Sequence, residues 1–387
     1  MNATFNYRTH IVSSLSEIGQ AAWDGLLALQ GEANPFLSYA FLHALHESGS
    51  ACPETGWQPQ YIALYDGSDA LAAALPLYVK GHSYGEYVFD WAWADAYQRH
   101  GLDYYPKLLS AVPFTPVAGP RLLARDDAAR AALIEVLRAT QAATEVSSTH
   151  ILFPPEEHAR QLQDAGFLLR SGVQFHWLNP GYADFEAFLA TLEQKKRKNI
   201  RAERRKVKEA GVLLRRVRGA DITDEEWRFF NRCYRHTYAA HYSTPYLNLD
   251  FFRRIGAAMP DNILLVIAER EGRPIAASLV IHTADTLYGR YWGEIEHVPC
   301  LHFEAAYYQP LEFCIEQGIK VFEGGAQGEH KMARGFLPTR TYSAHWLAHP
   351  SFADAIERFL EREAGGIDDY MDELNERNPF RNAGLSD

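Results

Sequence analysis

The sequence is poor in cysteine and has no long apolar run. Its four cysteines in 387 residues are Cys52, Cys233, Cys300 and Cys314. No two of them form a Cys-x-x-Cys pair, so neither a structural zinc site nor a disulfide framework is expected. Met1–Leu15 lacks the apolar core of a signal peptide, and apolar runs such as Ile263–Ala268 are far shorter than the ~18 residues of a membrane span. These features predict free thiols, no metal, no membrane span and a cytoplasmic location.

The sequence also lacks several catalytic motifs, and it has fewer basic than acidic residues. The chain contains no G-x-S-x-G, P-loop or H-E-x-x-H motif, so serine-nucleophile, nucleotide-hydrolysing and zinc-protease chemistry is unsupported. It carries 38 basic and 49 acidic residues, a net charge of −11. Such a protein repels phosphate overall, which argues against DNA as a partner. The 21 Phe, 21 Tyr and 8 Trp supply ample apolar surface for a folded core.

What is present is a similar pattern in each half. The runs Tyr61–Tyr65 and Leu71–Val79 flank an Asp-Gly turn, and a helical stretch is predicted around residues 104–109. The runs Ile263–Ala268 and Ile275–His282 flank a second Gly-containing turn, and a helix is predicted from His302 to Gln317. Apolar runs joined by such turns predict an antiparallel hairpin in each half.

Three features recur at a nearly constant spacing. The pairs that lie 203 or 204 residues apart are Ile62 with Leu265, Tyr87 with Tyr291, and Tyr104 with Tyr307. This period is too long for a solenoid and predicts a duplicated domain. We expect an α/β (α+β) protein with two domains, residues 1–175 for recognition and 176–387 for chemistry. Each would have a mixed, mostly antiparallel sheet flanked by helices.

The most unusual segment lies between the halves. Nine of the 14 residues in Lys195–Lys208 are basic and one is acidic, a local charge of +8 that leaves −19 for the other residues. An amphipathic helix over residues 185–210 is predicted, with Ile200 and Val207 facing the protein body. The dense basic charge indicates an anionic ligand, to which Lys198, Arg201 and Arg205 would contribute. Pairing with acidic residues of the same chain is the alternative.

Several short pieces carry a family resemblance. They are Asn34–Tyr39, Pro76–Lys80, Gly85–Asp90, Lys198–Arg201, His241–Pro245, Gly289–Gly293, Cys300–Glu304, Glu323–Gln327, Gly328–Lys331, Arg334–Phe336 and Asn378–Phe380. Through them the chain resembles bacterial N-acyltransferases related to the Fem-type peptidoglycan aminoacyltransferases. That family is a tandem duplication of the GNAT (acyl-CoA N-acyltransferase) fold.

The resemblance implies transfer of an acyl or aminoacyl group to an amine, with a small molecule or a peptidoglycan precursor as acceptor. It leaves acyl-CoA and aminoacyl-tRNA open as donors, so tRNA is a candidate partner, and it assigns no certain cofactor. GNAT enzymes hold the CoA pyrophosphate with a Gly-rich loop that opens a helix. Here Glu294–Cys300 has two carboxylates and no such loop, which argues against acetyl-CoA.

Transfer to an amine needs a proton acceptor and a stabiliser for the oxyanion. The second half offers five candidates near the expected cleft: His302, Glu304, Glu323, Lys331 and Arg334. We expect His302 and Glu323 to carry protons, and Lys331 and Arg334 to stabilise negative charge. The alternatives are a capping or core role for His302, and a salt bridge from Glu323 to Lys331 or Arg334 that would lower the pKa of the carboxyl group.

Aromatic residues complete the predicted substrate site. Tyr291 and Trp292 would line the cleft or the core, and Tyr242 lies in a loop-like stretch that either closes over an acceptor or merely turns. From Asp90 and Trp91 to Asp95, large and small residues alternate, which predicts a strand at a pocket edge or in an aromatic core. Besides a transferase, a non-catalytic binding module and an RNA-binding protein without transfer chemistry are compatible with these features.

Overall fold

The computed structural model describes residues 7–31, 34–325 and 328–381. Ala326 and Gln327, which end one of the pieces that carry the family resemblance, lie outside the described residues. The chain divides into two compact units. Unit 1 comprises residues 1–172 and 340–368, and unit 2 comprises residues 173–339 and 369–387.

Unit 1 contains eight complete strands and five complete helices among its described residues. The strands are β1 (Arg8–Val12), β2 (Trp57–Pro59), β3 (Tyr61–Tyr65), β4 (Leu71–Leu75), β5 (Tyr78–Lys80), β6 (Lys107–Ser110), β7 (Leu123–Ala124) and β8 (Ser148–Leu152). The helices are α1 (Gln20–Ala28), α2 (Tyr39–Glu47), α3 (Trp91–Arg99), α4 (Asp127–Ala143) and α5 (Glu156–Asp164).

Unit 2 begins within the next strand of the chain and contains the second half of the fold. Its strands are β9 (Leu168–Leu178), β10 (Val212–Arg218), β11 (Ile263–Arg270), β12 (Arg273–His282), β13 (Thr286–Glu294) and β14 (Val321–Glu323). Its helices are α6 (Phe185–Thr191), α7 (Gln194–Glu209), α8 (Asp224–Ala240), α9 (Leu249–Ala258), α10 (Leu301–Phe303) and α11 (Gln309–Gln317), with a π-helix at Glu304–Tyr308 and a 3₁₀ helix at Glu329–Arg334. The chain then forms β15 (Leu337–Leu347) and α12 (Pro350–Glu376).

The two units share one pattern of strand pairing. In unit 1, β5 pairs antiparallel with β6, β6 runs parallel to β8, and β8 pairs antiparallel with β15. In unit 2, β12 pairs antiparallel with β13, β13 runs parallel to β14, and β14 pairs antiparallel with β9. A helical crossover joins the parallel strands in both units, as parallel pairing requires. The predicted mixed, mostly antiparallel α/β fold is confirmed.

This pattern of strand pairing shows that two of the three residue pairs found at a spacing of 203 or 204 residues were matched wrongly. β6 occupies the position of β13, so Tyr104 precedes a strand, whereas Tyr307 lies in the π-helix after the equivalent strand. Tyr87 lies in an irregular segment with a φ of +64°, whereas Tyr291 is part of β13. Two of the three constant offsets therefore connect residues that are not structurally equivalent.

Two local predictions in the first half were wrong. The predicted helix around residues 104–109 is instead the buried strand β6, because Pro106 disfavours helical backbone at the residue before it and because Lys107–Ser110 completes a sheet. The predicted single run Leu71–Val79 is split by Pro76 into β4 and β5, which belong to different sheets. Proline removes a ladder donor and favours such a break.

The predicted strand at Asp90–Asp95 was also wrong, because this stretch forms α3. Trp93 and Tyr97 are buried in an aromatic cluster of unit 1, four residues apart as a helical face requires. Trp91 is exposed. The large and small residues alternate with the two-residue period of a strand, but the buried residues Trp93 and Tyr97 are four positions apart, which is the spacing of a helix.

Each unit has its own apolar core. The core of unit 1 packs β3, β4 and β6 against α4, with Ile62, Leu75 and Leu133 fully buried. The main core of unit 2 packs α6 and the helices after β13 against the sheet, with Phe188 and Leu311 fully buried. Within the described part of the chain, no helix has the length and apolarity to cross a lipid bilayer.

Candidate functional site

A cleft in unit 2 opens where two parallel strands stop pairing. β13 and β14 pair from Thr286 with Val321 to Tyr288 with Glu323. β14 ends at this point, whereas β13 continues to Glu294. The continuing half of β13 therefore leaves a gap of about 130 Å³ beside the end of β14. Ligands commonly bind beyond the carboxyl ends of parallel strands.

The cleft is lined by the strands β12, β13 and β14 and by the helical segment that follows β13. The lining residues are Ser278, Gly289, Arg290, Tyr291, Trp292, His302, Ala306, Tyr307, Phe322 and Gly324. Three of the predicted site residues, His302, Tyr291 and Trp292, are thus brought together. Gly324 must be glycine, because a Cβ atom there would lie 2.9 Å from the Phe336 ring and 3.0 Å from the Phe175 carbonyl oxygen.

His302 presents a neutral imidazole in this cleft. Burial lowers its pKa to about 4, and the positive charges of Arg334 and Lys331 act in the same direction. Its ring packs against Trp292 and Tyr307, with centroid distances of 5.3 and 5.5 Å. A neutral imidazole can accept a proton near neutral pH, although so low a pKa makes it a weak base.

Lys331 places an ammonium group next to the cleft wall. Its side chain is buried, and its Nζ donates a hydrogen bond to the carbonyl oxygen of Gly324. Burial lowers its pKa to about 8, so most of the lysine is still charged at neutral pH. The structure therefore brings Lys331 and the cleft-lining Gly324 into direct contact.

Glu323 ends β14 one residue before Gly324. It is opposite His176 in the pairing with β9, and the Gly324 N–H donates to the Phe175 carbonyl oxygen over 2.8 Å. Burial lowers the pKa of His176 to about 4, with the charge of Lys331 as a second cause. Glu323 is half-buried, and its neighbours Phe322 and Gly324 line the cleft, whereas Glu323 itself is not among the lining residues.

Glu304 and Arg334 are held in ion pairs with the basic helix α7. Glu304 accepts hydrogen bonds from Nε and Nη2 of Arg204, each over 3.0 Å. Arg334 donates from Nη2 to both carboxylate oxygens of Glu203 over 2.9 and 2.8 Å, and from Nε to the Tyr308 hydroxyl over 3.0 Å. These contacts favour a positioning role for both residues.

Sequence reasoning missed the anchoring role of Glu203 and Arg204. Arg204 is one of the nine basic residues of Lys195–Lys208, yet it is bound within the chain, since besides Glu304 it donates to Glu312 over 2.6 Å. Glu203 additionally accepts from the Tyr308 hydroxyl in the π-helix. Its signal was available in the sequence, because Glu203 is the one acidic residue in Lys195–Lys208. π-Helical turns often occur at functional sites, and this one carries Tyr307 into the cleft wall.

The outer face of α7 forms a separate basic groove. Ile200 and Val207 are buried, as predicted, so the helix packs through one face. Residues of α6 and α7 line a shallow groove of about 610 Å³: Ala190, Gln194, Arg197, Lys198, Arg201, Ala202 and Arg205. The predicted ligand-binding residues Lys198, Arg201 and Arg205 lie together here. Exposed partners Glu186 and Glu209 accept contacts from Arg201 and Arg205.

Tyr242 lies away from these features. It is fully exposed in the turn after α8, with a φ of +53°, so the structure does not bring it to the cleft. Tyr291 packs against Tyr234 with a centroid distance of 5.3 Å while also lining the cleft. The turn between α8 and α9 is where the sequence predicted a helix–helix connection.

Asp90 and Trp91 belong to unit 1, where Asp90 is part of a buried charge network. Its carboxylate accepts from Lys107 Nζ over 2.5 Å and from the Tyr104 hydroxyl over 2.7 Å. Lys107 also donates to Glu86 over 2.8 Å. Burial raises the pKa of Glu86 to about 7, while the nearby Lys107 ammonium limits that rise. Sequence analysis missed this network, because Lys107 was placed on a helix.

No candidate metal centre emerges from the described residues, among which no three His, Cys, Asp or Glu side chains cluster suitably. After β13, the segment Glu294–Cys300 leads into the short helix α10. Its carboxylates are engaged: Glu294 contacts His297 over 2.8 Å, and Glu296 pairs with Arg270. Such residues are poor ligands for a pyrophosphate group.

Comparisons with known proteins agree with this fold. No curated protein sequence matches the chain significantly. Among solved structures, FemX is 10% identical and has a TM-score of 0.56, with 90% of this chain and 100% of FemX covered. L-PGS from Bacillus licheniformis is 11% identical with a TM-score of 0.54, and 90% of this chain and 97% of the L-PGS chain are covered.

A third structure is the C-terminal domain of a lysylphosphatidylglycerol synthetase from Agrobacterium fabrum, 11% identical with a TM-score of 0.53 and covering 90% of this chain and 97% of that domain. At these identities the likeness shows a shared fold. The family is shown by a sequence model that matches residues 14–382 and is described as peptidoglycan biosynthesis/recognition. The chain belongs to the FemAB-like family.

Proposed function

We propose that this protein is an aminoacyltransferase that transfers an aminoacyl group to an amine, with the unit 2 cleft as its active site. The observation that carries the proposal is that a neutral His302 and Gly324 line one cleft, while the charged Lys331 donates to the Gly324 carbonyl oxygen. Membership of a family described by peptidoglycan biosynthesis/recognition supports it.

In this reaction the acceptor nitrogen attacks the ester carbonyl carbon of the donor. The carbonyl oxygen becomes an oxyanion, which the Lys331 ammonium stabilises electrostatically. The attacking nitrogen loses a proton to the imidazole of His302 or the carboxylate of Glu323. The C–O ester bond then breaks, and the leaving hydroxyl takes up that proton. Glu304 and Arg334 hold the π-helix and the 3₁₀ helix in place through α7.

Aminoacyl-tRNA is the donor that these features favour. The groove on α7 presents Lys198, Arg201 and Arg205 together, which suits a phosphate backbone. The carboxylates of Glu294 and Glu296 occupy the segment where a CoA pyrophosphate would need backbone N–H groups. For the acceptor, the family description favours a peptidoglycan precursor that carries a free amine.

A non-catalytic ligand-binding module is the second candidate. It is favoured by the ion pairs of Glu304 and Arg334, which remove two of the five predicted catalytic groups from direct chemistry. It is also compatible with the word recognition in the family description. In that case the cleft would bind the amine-bearing ligand without catalysing transfer.

A transfer assay with two kinds of donor distinguishes the transferase from the binding module. The protein is incubated with a UDP-linked muramyl pentapeptide and either a mixed pool of radiolabelled aminoacyl-tRNA or a panel of acyl-CoA thioesters. We expect label from aminoacyl-tRNA in the peptide, and its loss in Lys331→Met. Lys320→Met, which changes an exposed lysine paired with Asp285, is the matched control.

Transfer from acyl-CoA alone would overturn the donor assignment. Transfer to phosphatidylglycerol but not to an amine would contradict the acceptor class. Binding of the pentapeptide with no transfer from any donor would favour the binding module.

A further inference from the structure

Unit 1 contains an aromatic cleft that the proposed transfer reaction does not use. It lies between α3 and the segment that leads into β6, and it has a volume of about 470 Å³. The aromatic and polar residues that line it are Trp91, Asp95, Gln98, Asp103, Tyr104 and Tyr105. No Lys or Arg is among its lining residues, so the cleft does not suit a phosphate or a carboxylate.

The rim of this cleft exposes large apolar side chains. Trp91 is 41% exposed, and Phe89 and Tyr84 on the same segment are 61% and 57% exposed. The rings of Tyr84 and Trp91 contact edge to face, with centroids 5.1 Å apart. Exposed aromatic residues concentrated at one place commonly mark a binding site.

The floor of the cleft is fixed by the buried charge network. The Tyr104 hydroxyl donates to Asp90, and the Tyr105 hydroxyl shares a 2.8 Å hydrogen bond with Ser83. Lys107 donates to both Asp90 and Ser83, over 2.5 and 2.7 Å. Both tyrosine rings are therefore held in place before a ligand arrives, which reduces the entropy lost on binding.

Two of the polar lining residues are acidic. Asp95 pairs with Arg99 over 2.9 Å, whereas Asp103 is exposed. Carboxylates beside the faces of Trp and Tyr rings form a favourable environment for a cation, because the ring quadrupole and the carboxylate charge act together.

We propose that the unit 1 cleft binds a ligand with an alkylammonium group, such as a lysine side chain in a peptide. The apolar stem of the ligand packs on Trp91 and Tyr105, and its ammonium faces Asp103. The site requires the protonated amine. It therefore recognises a ligand and does not activate it for attack, and its existence is independent of the proposed transfer activity.

The full chain is titrated by calorimetry and ligand-observed NMR with Nα-acetyl-L-lysine methylamide and with its Nε-acetylated form, without any donor. We expect millimolar binding of the charged probe and clearly weaker binding of the neutral one. Trp91→Ala and Asp103→Asn should each weaken binding by about 2- to 5-fold, as expected for exposed cation–π and ion-pair contacts. Trp91→Phe should retain most of the affinity.

Glu135→Gln is the matched control, since Glu135 is an exposed carboxylate of α4 paired with Arg138. Melting temperatures establish that each variant is folded. Equal binding of both probes, preference for N-acetylglucosamine over the lysine probe, or unchanged affinity in both cleft variants would overturn the proposal. If the protein transfers aminoacyl groups but gives one of these overturning results, only the lysine-site proposal fails. If it is inactive in transfer but binds the charged probe as expected, the lysine-site proposal stands and the proposed transfer function fails.

Discussion

At the scale of single residues, the main result is that burial decides what each titratable side chain can do. Burial lowers the pKa of His302 to about 4 and that of Lys331 to about 8. Arg334 is equally enclosed but is bound to Glu203, so its charge serves structure. Sequence alone identified these residues, but their environments distinguish their roles.

Lys331 gives a prediction about pH. Because its ammonium is the charge proposed to stabilise the oxyanion, kcat should fall as the pH rises through about 8, where this group loses its proton. Lys331→Met should lower kcat by about 100-fold or more, as is typical for removing one oxyanion contact. Rates measured from pH 6.5 to 9.5 check this.

The control for that experiment is Lys320→Met, whose pH profile should match that of the unmodified protein. A profile that stays flat up to pH 9.5 in the unmodified protein would show that the Lys331 charge is not used in the rate-limiting step.

Glu304 gives a prediction about stability. Glu304→Ala removes a buried carboxylate but leaves the partly exposed Arg204 paired with Glu312, so we expect the free energy of unfolding to fall by about 1 to 3 kcal/mol, typical of losing hydrogen bonds to a charged group. Glu209→Ala breaks an exposed pair with Arg205 and should cost less than about 1 kcal/mol. Urea denaturation measures both.

The opposite outcome is also informative. If Glu304→Ala is as stable as the Glu209→Ala control, the Glu304–Arg204 pair does not hold the fold together, and any loss of transfer then reports a role of Glu304 in the reaction itself or in positioning the cleft.

At the scale of secondary-structure elements, α7 presents two faces with different surroundings. Glu203 and Arg204 bind the π-helix and its neighbours, while Lys198, Arg201 and Arg205 face the groove. Pairing within the chain is observed for Arg204 and also, with exposed partners, for Arg201 and Arg205, whereas an anionic ligand in the groove stays a proposal. The periodicity predicted the helix, but it could not show where Glu304 and Glu312 would lie.

The groove gives a prediction about salt. Lys198→Gln, Arg201→Gln and Arg205→Gln together should weaken tRNA binding and reduce the slope of log K against log salt by about 2, since each lost phosphate contact on single-stranded nucleic acid removes about 0.7. Filter binding between 50 and 300 mM salt, a range chosen on the order of physiological ionic strength, measures the slope.

A matched triple variant on other helices of unit 2 tests whether net charge alone explains the effect. Arg228→Gln, Arg253→Gln and Arg254→Gln remove three exposed charges that are paired with Asp224 and Asp250. An equal loss of slope in this variant would remove the special role of α7.

At the scale of the whole molecule, several buried or partly buried histidines tie stability to pH, and burial lowers the pKa of His345 as well. The pKa is lowered by burial to about 4 in His46, His158, His176 and His302, and to about 3 in His150. The unfolded chain binds their protons near pH 6.5, whereas the folded chain does not. Stability therefore falls as the pH decreases from about 6.5 towards 4.

We expect the midpoint of thermal unfolding to fall between pH 6.5 and 5, with each histidine contributing a slope of up to about 1.4 kcal/mol per pH unit. The raised pKa of Glu86 acts in the opposite direction but is one group against several histidines. Circular dichroism melts across this range measure the effect. His297→Gln, which removes an exposed histidine, should leave the slope unchanged, and a midpoint independent of pH would contradict the expectation.

The sequence by itself determined the fold class, the family and the basic helix, because these depend on local periodicity and on short motifs such as Lys198–Arg201. It also named His302, Tyr291 and Trp292, which meet in one cleft. Only the tertiary structure decided that Lys107 lies in a buried strand, that Asp90 is bound within a charge network, and that Glu304 and Arg334 are held by α7. The physical reason is that burial and ion pairing depend on residues distant in sequence, which no local pattern specifies.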